Sequence, residues 1–263
     1  MNKEITISSE YFREYRQRLG FSNQTNVKVF FGAKDIIPSV NFDYLEVLNE
    51  RLFNIIEKIN NVVAPEVKFE DLLTFKKEYI SHAYSVMKEN NIFPRLNNQG
   101  RRPEDVYFNW MRGYIFSNYF IKALGIVFSV NTSEIELIGD DDLKNIETFK
   151  RSPKADLNIN VNLKTKIRIE MQAGFTGMND VKKHKVTEAK KVFVESGVVT
   201  LAIHFDLYNG QVAFIKLNEI EDTSMNWIER QQMEGQKVFN IDQNYFTWKI
   251  TDIPPKYNEI IFD

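Results

Sequence analysis

The sequence predicts an α/β fold, in which helices flank a mixed central sheet after a helical N-terminal elaboration. Residues 1–125 carry apolar side chains mostly at helical spacing. The period then changes, because 155–161 and 166–172 alternate apolar and polar residues as half-buried strands do. An amphipathic helix over 178–195 and a continuous apolar strand over 198–207 complete the order and indicate a sheet that is covered on both faces.

Three helices are predicted before the strands. The first covers 41–63 and the second covers 69–89, both from the spacing of their apolar residues. The third opens at 101–105, where a proline and two acidic residues stand in the first turn. We expect it to run to about Leu124 and to end at Gly125, because glycine commonly terminates helices.

Turn signals place the strand connections. A short strand is predicted at 134–138, and 162–165 form the turn between the two alternating strands. Asn209–Gly210 is a strong two-residue hairpin signal between the apolar strand and a return strand over 212–217.

Composition excludes several classes of site. The 263 residues include no cysteine, so disulfides, thiolate zinc sites and cysteine nucleophiles are excluded. The three histidines, at 82, 184 and 204, are too far apart for a usual zinc motif, and His204 in its apolar strand is expected to be a core or edge residue. The net charge is −2 and no apolar run approaches membrane length. With no signal segment evident, a cytoplasmic protein with no membrane partner is expected.

The two alternating strands bring two carboxylates together. If residue 156 pairs with 170, 158 with 168 and 160 with 166, a three-residue loop is left. In this register Asp156 stands opposite Glu170, with their Cβ atoms about 5 Å apart. Adjacent carboxylates repel each other, and a divalent cation relieves the repulsion. Magnesium prefers such oxygen ligands and makes a water more acidic for attack on a phosphodiester. Gln172, two residues on, is expected on the same face.

These residues resemble a known family. Pro153-Lys154-Ala155-Asp156, followed by Ile169-Glu170-Met171-Gln172, resembles the signature of PD-(D/E)XK nucleases, which include type II restriction endonucleases. Glutamine replaces the usual lysine, a variant known in some restriction enzymes. The predicted order of elements from about 104 to 207 is also similar to the core of that family, so the resemblance implies a restriction-endonuclease-like fold.

The resemblance also implies roles for individual residues. Asp156 and Glu170 would bind Mg²⁺ together with the backbone carbonyl of Met171, and Gln172 would position water. The proline lies three residues before Asp156 instead of next to it, and neutral Gln172 cannot act as a general base. Whether Glu104 or Glu136 joins the metal site stays open.

Basic residues offer two interpretations. Lys182, Lys183 and Lys185 lie on the predicted helix that follows the strand with Glu170 and Gln172. They form either a solvated face or a set of DNA phosphate contacts. Arg101, Arg102 and Arg112 near the third helix either cap it and form surface ion pairs or contact the DNA backbone.

The leading hypothesis is a sequence-specific endonuclease that hydrolyses double-stranded DNA with Mg²⁺ in restriction–modification. It would act as a homodimer, whose two-fold symmetry mirrors a palindromic site, without a small-molecule cofactor. The alternatives are a structure-specific repair or recombination nuclease, and a non-catalytic DNA-binding protein that retains the fold. We expect one nuclease domain over 1–263, with a mainly helical elaboration at 1–103, a catalytic core at 104–220 and a C-terminal extension at 221–263.

Overall fold

The structure is a computed structural model that describes residues 8–96, 101–138, 156–162, 165–231 and 235–262. Within these ranges the helices are α1 Ser9–Arg18, α2 Gln24–Phe31, α3 Phe42–Val62, α4 Leu72–Phe75, α5 His82–Glu89, α6 Pro103–Phe128 and α7 Lys183–Ser196. The strands are β1 Ile135–Leu137, β2 Leu157–Asn162, β3 Thr165–Gly174, β4 Asp180–Lys182, β5 Val199–Asp206, β6 Gln211–Lys216, β7 Trp227–Arg230, β8 Gln236–Asn240 and β9 Phe246–Lys249. In these ranges no helix is both long and apolar enough to cross a lipid bilayer.

A mixed six-stranded sheet forms the centre of the described fold, in the order β1-β2-β3-β5-β6-β9. Strands β3 and β5 are parallel, and the other neighbouring strands are antiparallel. The crossover between the parallel strands carries α7, as parallel pairing requires. The predicted fold class is therefore confirmed, and the predicted order of helix, strand, hairpin, helix and strand is found from α6 to β5 with the short strand β4 added before α7.

The two faces of the sheet are covered by different helices. On one face Leu201, Ile203 and Phe205 of β5 belong to a large apolar cluster that includes the buried side of α6. On the other face Ala202 belongs to a smaller cluster with Val186 of α7. This explains the continuous apolar run of β5, since alternate residues of a strand point to opposite faces.

The predicted helices over 41–63 and 69–89 are present but differ in detail, and two further helices, α1 and α2, precede them. Helix α3 begins after Asn41, whose side-chain oxygen accepts a hydrogen bond of 2.9 Å from the Tyr44 amide. The predicted helix over 69–89 begins later, at Leu72, because Asp71 caps it by accepting from two backbone amides. A π-helical segment, Lys76–Ser81, connects α4 to α5.

The prediction that Gly125 ends the third helix is wrong. Helix α6 continues to Phe128, and Ser129 in the left-handed conformation terminates it. Gly125 is needed for a close approach instead, since a Cβ atom there would lie 3.1 Å from the Val130 carbonyl oxygen and 3.2 Å from Thr132. A glycine in a helical pattern can therefore mark packing as well as a terminus.

The strand predictions are largely confirmed. Asn158 pairs with Arg168 and Asn160 pairs with Lys166, which is the predicted register. The pairing then shifts before the turn, where Asn162 faces Thr165. The hairpin at Asn209–Gly210 is also present, but Asp206 pairs with Gln211, so its loop has the four residues 207–210 instead of the predicted two.

The predicted helix over 178–195 is wrong at its N-terminal end. Residues Asp180–Lys182 form β4 instead, which pairs with β8 in a three-stranded sheet of order β4-β8-β7. The side chain of Arg230 donates to Asp180 at 2.8 and 3.0 Å and ties β4 to β7. The partner strands lie about 50 residues away in sequence, so local spacing gave no sign of this pairing.

Candidate active site

A cleft of about 260 Å³ opens between α6 and the end of β3. One wall is a face of α6 that includes Arg112 and Gly113, and the other wall includes Asp156, Met171 and Gln172. The sequence analysis singled out the second wall. It gave Arg112 only an ambiguous role, and it did not consider Gly113.

Asp156 is fixed at the start of β2 by hydrogen bonds to both neighbouring strands. Its amide donates to the Ile169 carbonyl at 3.0 Å, and its own carbonyl accepts from the Ile138 amide at 3.0 Å. Its side-chain Oδ2 accepts from the Met171 amide at 2.7 Å. The carboxylate of this half-buried residue is therefore held against the peptide unit that joins Glu170 to Met171.

The predicted pairing of Asp156 with Glu170 is wrong. Leu157 already pairs with Ile169, and the amide of Asp156 donates to the same residue. Two consecutive residues therefore face one, as in a β-bulge, and the alternation of β2 stops before Asp156. The remaining sequence of the motif, 153–155, lies outside the described residues.

The Glu170 side chain extends toward α7. It is 5% exposed, and it lines a small hollow with Arg168 and Lys185. Its Oε2 accepts from the Lys185 ammonium at 2.9 Å. Glu170 and Gln172 are alternate residues of the regularly paired strand β3 and therefore share one face, as expected. Asp156 and Gln172 line the cleft, and Glu170 lines the hollow.

Asp156 nevertheless contacts the residue that directly follows Glu170 in β3. Asp156 contacts the Met171 amide, which is bonded directly to the carbonyl carbon of Glu170. The two carboxylates thus approach β3 at adjacent residues, one in the cleft and one below α7. Lys185 reaches Glu170 from the first turn and a half of α7, and it gives this buried carboxylate a cation that the neutral Gln172 cannot provide.

The donor chemistry of this region fits magnesium. Asp156, Glu170 and the carbonyl of Met171 offer only oxygen atoms, the ligands that hard cations prefer. No group of three or more His, Asp or Glu residues is placed to hold a metal in the described part of the chain. A magnesium ion would therefore need backbone and water oxygens beside the two carboxylates.

Arg112 is the basic residue of the cleft. Its guanidinium lies 4.3 Å from the centre of the Phe175 ring and donates to the Asn109 side-chain oxygen at 3.0 Å. Burial lowers the pKa of Arg112 from its ordinary value, because desolvation penalises the charged form. No carboxylate forms an ion pair with it among the residues described.

The α6 wall of the cleft could have been predicted from the sequence. The helix is otherwise rich in large apolar residues, but Asn109, Gly113 and Ser117 recur every four positions and lie on one face. A stripe of small and polar side chains along an apolar helix indicates a face that does not pack against the core.

The other predicted site residues lie elsewhere. Lys182 and Lys183 are exposed at the junction of β4 and α7. Glu104 lies at the start of α6, where it accepts from the Asn41 amide at 2.6 Å and pairs with Arg102 at 3.4 Å. Its position indicates a structural tie between α3 and α6.

Glu136 is also outside the cleft lining. It accepts from the Asn158 amide group at 3.1 Å and lies 3.8 Å from the Lys166 ammonium. Its side chain is 64% exposed, and its neighbour Leu137 is the residue of β1 that lines the cleft. Neither acid left open by the sequence analysis therefore stands beside Asp156 in the cleft.

A second polar cluster, which the sequence analysis did not predict as a cluster, lies where β5 ends and β6 begins. Asp206 is 0% exposed and accepts from the side chains of Asn179, Asn209 and Gln211 and from two backbone amides. His204 is 3% exposed and its Nε2 lies 2.8 Å from the Asn179 side-chain oxygen. The expectation that His204 is a core residue is confirmed.

Comparisons with known proteins give little beyond the fold. No protein-family model matches the sequence, and no curated protein matches it. Among solved structures the chain is similar to the Holliday junction resolvase Hjc of the archaeal hyperthermophile Archaeoglobus fulgidus, with 17% identity and a TM-score of 0.26. The match covers 36% of this chain and 66% of the resolvase chain, just under two thirds. A likeness this weak says nothing about chemistry, so the function must be argued from the cleft.

Proposed function

We propose that the protein is a magnesium-dependent endonuclease that hydrolyses phosphodiester bonds in double-stranded DNA. One observation carries the proposal: the Asp156 carboxylate lies in an open cleft, 2.7 Å from the Met171 amide, with Arg112 on the opposite wall. A carboxylate and an arginine across a cleft suit a metal ion and the phosphate it activates.

Each residue of the proposed site has its own role. Asp156 would hold Mg²⁺ together with Glu170 and the Met171 carbonyl, and the ion, when bound, would supply a Lewis acid and make a water more acidic. The Gln172 amide would orient the attacking water, and because Gln172 cannot take its proton, the proton would leave to solvent or to a phosphate oxygen. Lys185, in contact with Glu170, acts at the site rather than as a distant DNA contact.

The finer proposal is a type II restriction enzyme in the cytoplasm that acts as a homodimer. Two-fold symmetry in the protein would match two-fold symmetry in a short recognition sequence. Lys182 and Lys183 are exposed, so their ammonium groups are available to DNA phosphates. Such contacts position the duplex without reading its sequence.

The test is a cleavage assay with three substrates: a mixed-sequence plasmid, a linear duplex and a four-way junction. Discrete plasmid fragments that require Mg²⁺ would support the restriction enzyme, and cleavage confined to the junction would replace it with a structure-specific nuclease. If Mg²⁺ and Mn²⁺ give no cleavage of any substrate, the enzyme is rejected in favour of a DNA-binding protein.

The role of Lys185 has a separate test. We expect Lys185→Met to abolish most cleavage and to lower the free energy of unfolding by about 2 kcal/mol, because Glu170 would stay buried without its cation. The matched control is Lys190→Met on the same helix, whose partner Asp222 has a side chain that is 79% exposed. Wild-type cleavage by Lys185→Met, measured on folded protein, would remove Lys185 from the site.

A further inference from the structure

The cleft contains a cation without a described counter-ion. The guanidinium of Arg112 contacts the Phe175 ring and the neutral side chain of Asn109. The Phe108 ring lies further away, at 5.8 Å. Aromatic contacts hold the plane of a guanidinium while its N–H groups stay available for bidentate hydrogen bonds. Such a group is suited to the oxygen atoms of a phosphate.

Gly113 is a second and independent observation at the same place. It lies near the middle of the 26-residue helix α6, where glycine costs about 1 kcal/mol relative to alanine. No packing within the described structure requires this glycine, because a Cβ atom there would meet nothing within 4 Å. The residue lines the cleft next to Arg112, so its missing side chain keeps the space before the guanidinium open.

We propose that Arg112 binds a phosphate of the DNA backbone in this cleft, and that Gly113 leaves room for the phosphate. The inference rests on the proposed function, because it assigns the phosphate to the DNA strand presented to Asp156. Arg112 positions the strand from the α6 wall, opposite the carboxylate. Phe175 fixes the guanidinium from the loop that follows β3.

The experiment measures affinity for a fluorescent 30-base-pair duplex in Ca²⁺, over a series of salt concentrations. We expect Arg112→Ala to weaken binding about tenfold and to reduce the slope of log affinity against log salt by about 0.9, the value for one lost phosphate contact. Arg112→Lys should keep the slope, because the charge remains. Arg51→Ala, which removes an exposed arginine of α3, is the matched control and should leave affinity and slope unchanged.

Gly113 variants test the same cleft without removing charge. Gly113→Ala should raise Tm by about 2–4 °C, because helix propensity improves and the added Cβ meets no atom. Gly113→Leu should weaken duplex binding about tenfold without lowering Tm, since its side chain fills the space before Arg112. This variant keeps the proposal testable if Arg112→Ala does not fold.

Four outcomes decide the proposal. Loss of affinity with the smaller salt slope supports it, and weaker binding by Gly113→Leu supports it independently. Wild-type affinity in Arg112→Ala, or a weaker affinity with an unchanged slope, overturns it. If the wild-type protein cleaves DNA while Arg112→Ala binds normally, only this inference fails. If the wild type neither binds nor cleaves DNA, the proposed function fails as well.

Discussion

Two polar clusters at strand ends differ in how their aspartates are used. Asp206 is 0% exposed and accepts five hydrogen bonds from described protein groups. Asp156 is half-buried, accepts from the Met171 amide and lines an open cleft. A carboxylate enclosed by donors holds strands and turns together, whereas a carboxylate beside a cleft can still bind a ligand. Opposite responses to mutation would establish this difference.

The largest expected effect is on activity at Asp156. Asp156→Asn should reduce Mg²⁺-dependent cleavage at least about a thousandfold, because it removes a charged ligand from the proposed metal site. Its amide oxygen can still accept from the Met171 amide, so Tm should change by no more than about 3 °C. The assay combines cleavage with thermal unfolding, and Asp222→Asn serves as an exposed control. Cleavage at the wild-type rate would remove Asp156 from the site.

At Asp206 we expect a large loss of stability and little loss of activity. Asp206→Ala removes the shared acceptor of the buried Asn179 amide group and of the Asn209 and Gln211 side chains, and we expect a loss of about 3 kcal/mol in the free energy of unfolding. Chemical denaturation measures this loss. Cleavage per folded molecule should stay near the wild-type value, and a variant with unchanged stability but no activity would make Asp206 the functional aspartate instead.

The stability of the buried cluster that contains Asp206 and His204 should also depend on pH. Burial lowers the pKa of His204 to about 4, although nearby Asp206 and Asp180 oppose the shift. The unfolded state, with a pKa near 6.5, therefore takes up a proton first as the pH falls. Stability should be complete above pH 6.5 and should decline by about 3 kcal/mol as the pH falls to 4.

Denaturation curves between pH 4 and 7 measure this decline. The control is His204→Gln, which removes the titrating ring and should make the decline smaller. An equal decline in both proteins would show that other groups cause it. Burial also raises the pKa of Asp206. Hydrogen bonds from Asn209, Asn179 and Gln211 outweigh this and hold the pKa of Asp206 below its ordinary value.

The smallest expected effect belongs to the exposed lysines. Lys182→Ala and Lys183→Ala should each weaken duplex binding only two- to threefold and lower the salt slope by up to about 0.9, because an exposed ammonium contributes a screened contact. Lys191→Ala, also exposed and near the opposite end of α7, is the control. If Lys191→Ala has the same effect as the other two, the lysines act through net charge and make no specific contact.

Local sequence was sufficient for most of the fold. Apolar spacing predicted α3 and α6, and alternation predicted β2 and β3 with the register that pairs Asn158 with Arg168. The hairpin at Asn209–Gly210 also followed from the sequence. These features depend on helical and strand periodicities, which a chain expresses over a few neighbouring residues. The same periodicities made Asp156, Glu170 and Gln172 candidates.

Only the tertiary structure decided how those candidates are arranged. Parity placed Asp156 opposite Glu170, but a bulge interrupts the alternation at Asp156 and no residue type in the sequence marks it. Lys185 meets Glu170 because α7 crosses back over the sheet, and β4 pairs with β8 through contacts far apart in the chain. The sequence by itself thus determined which residues are candidates for the chemistry. Long-range packing decided which of them face the cleft, since packing forces act between segments that local patterns treat separately.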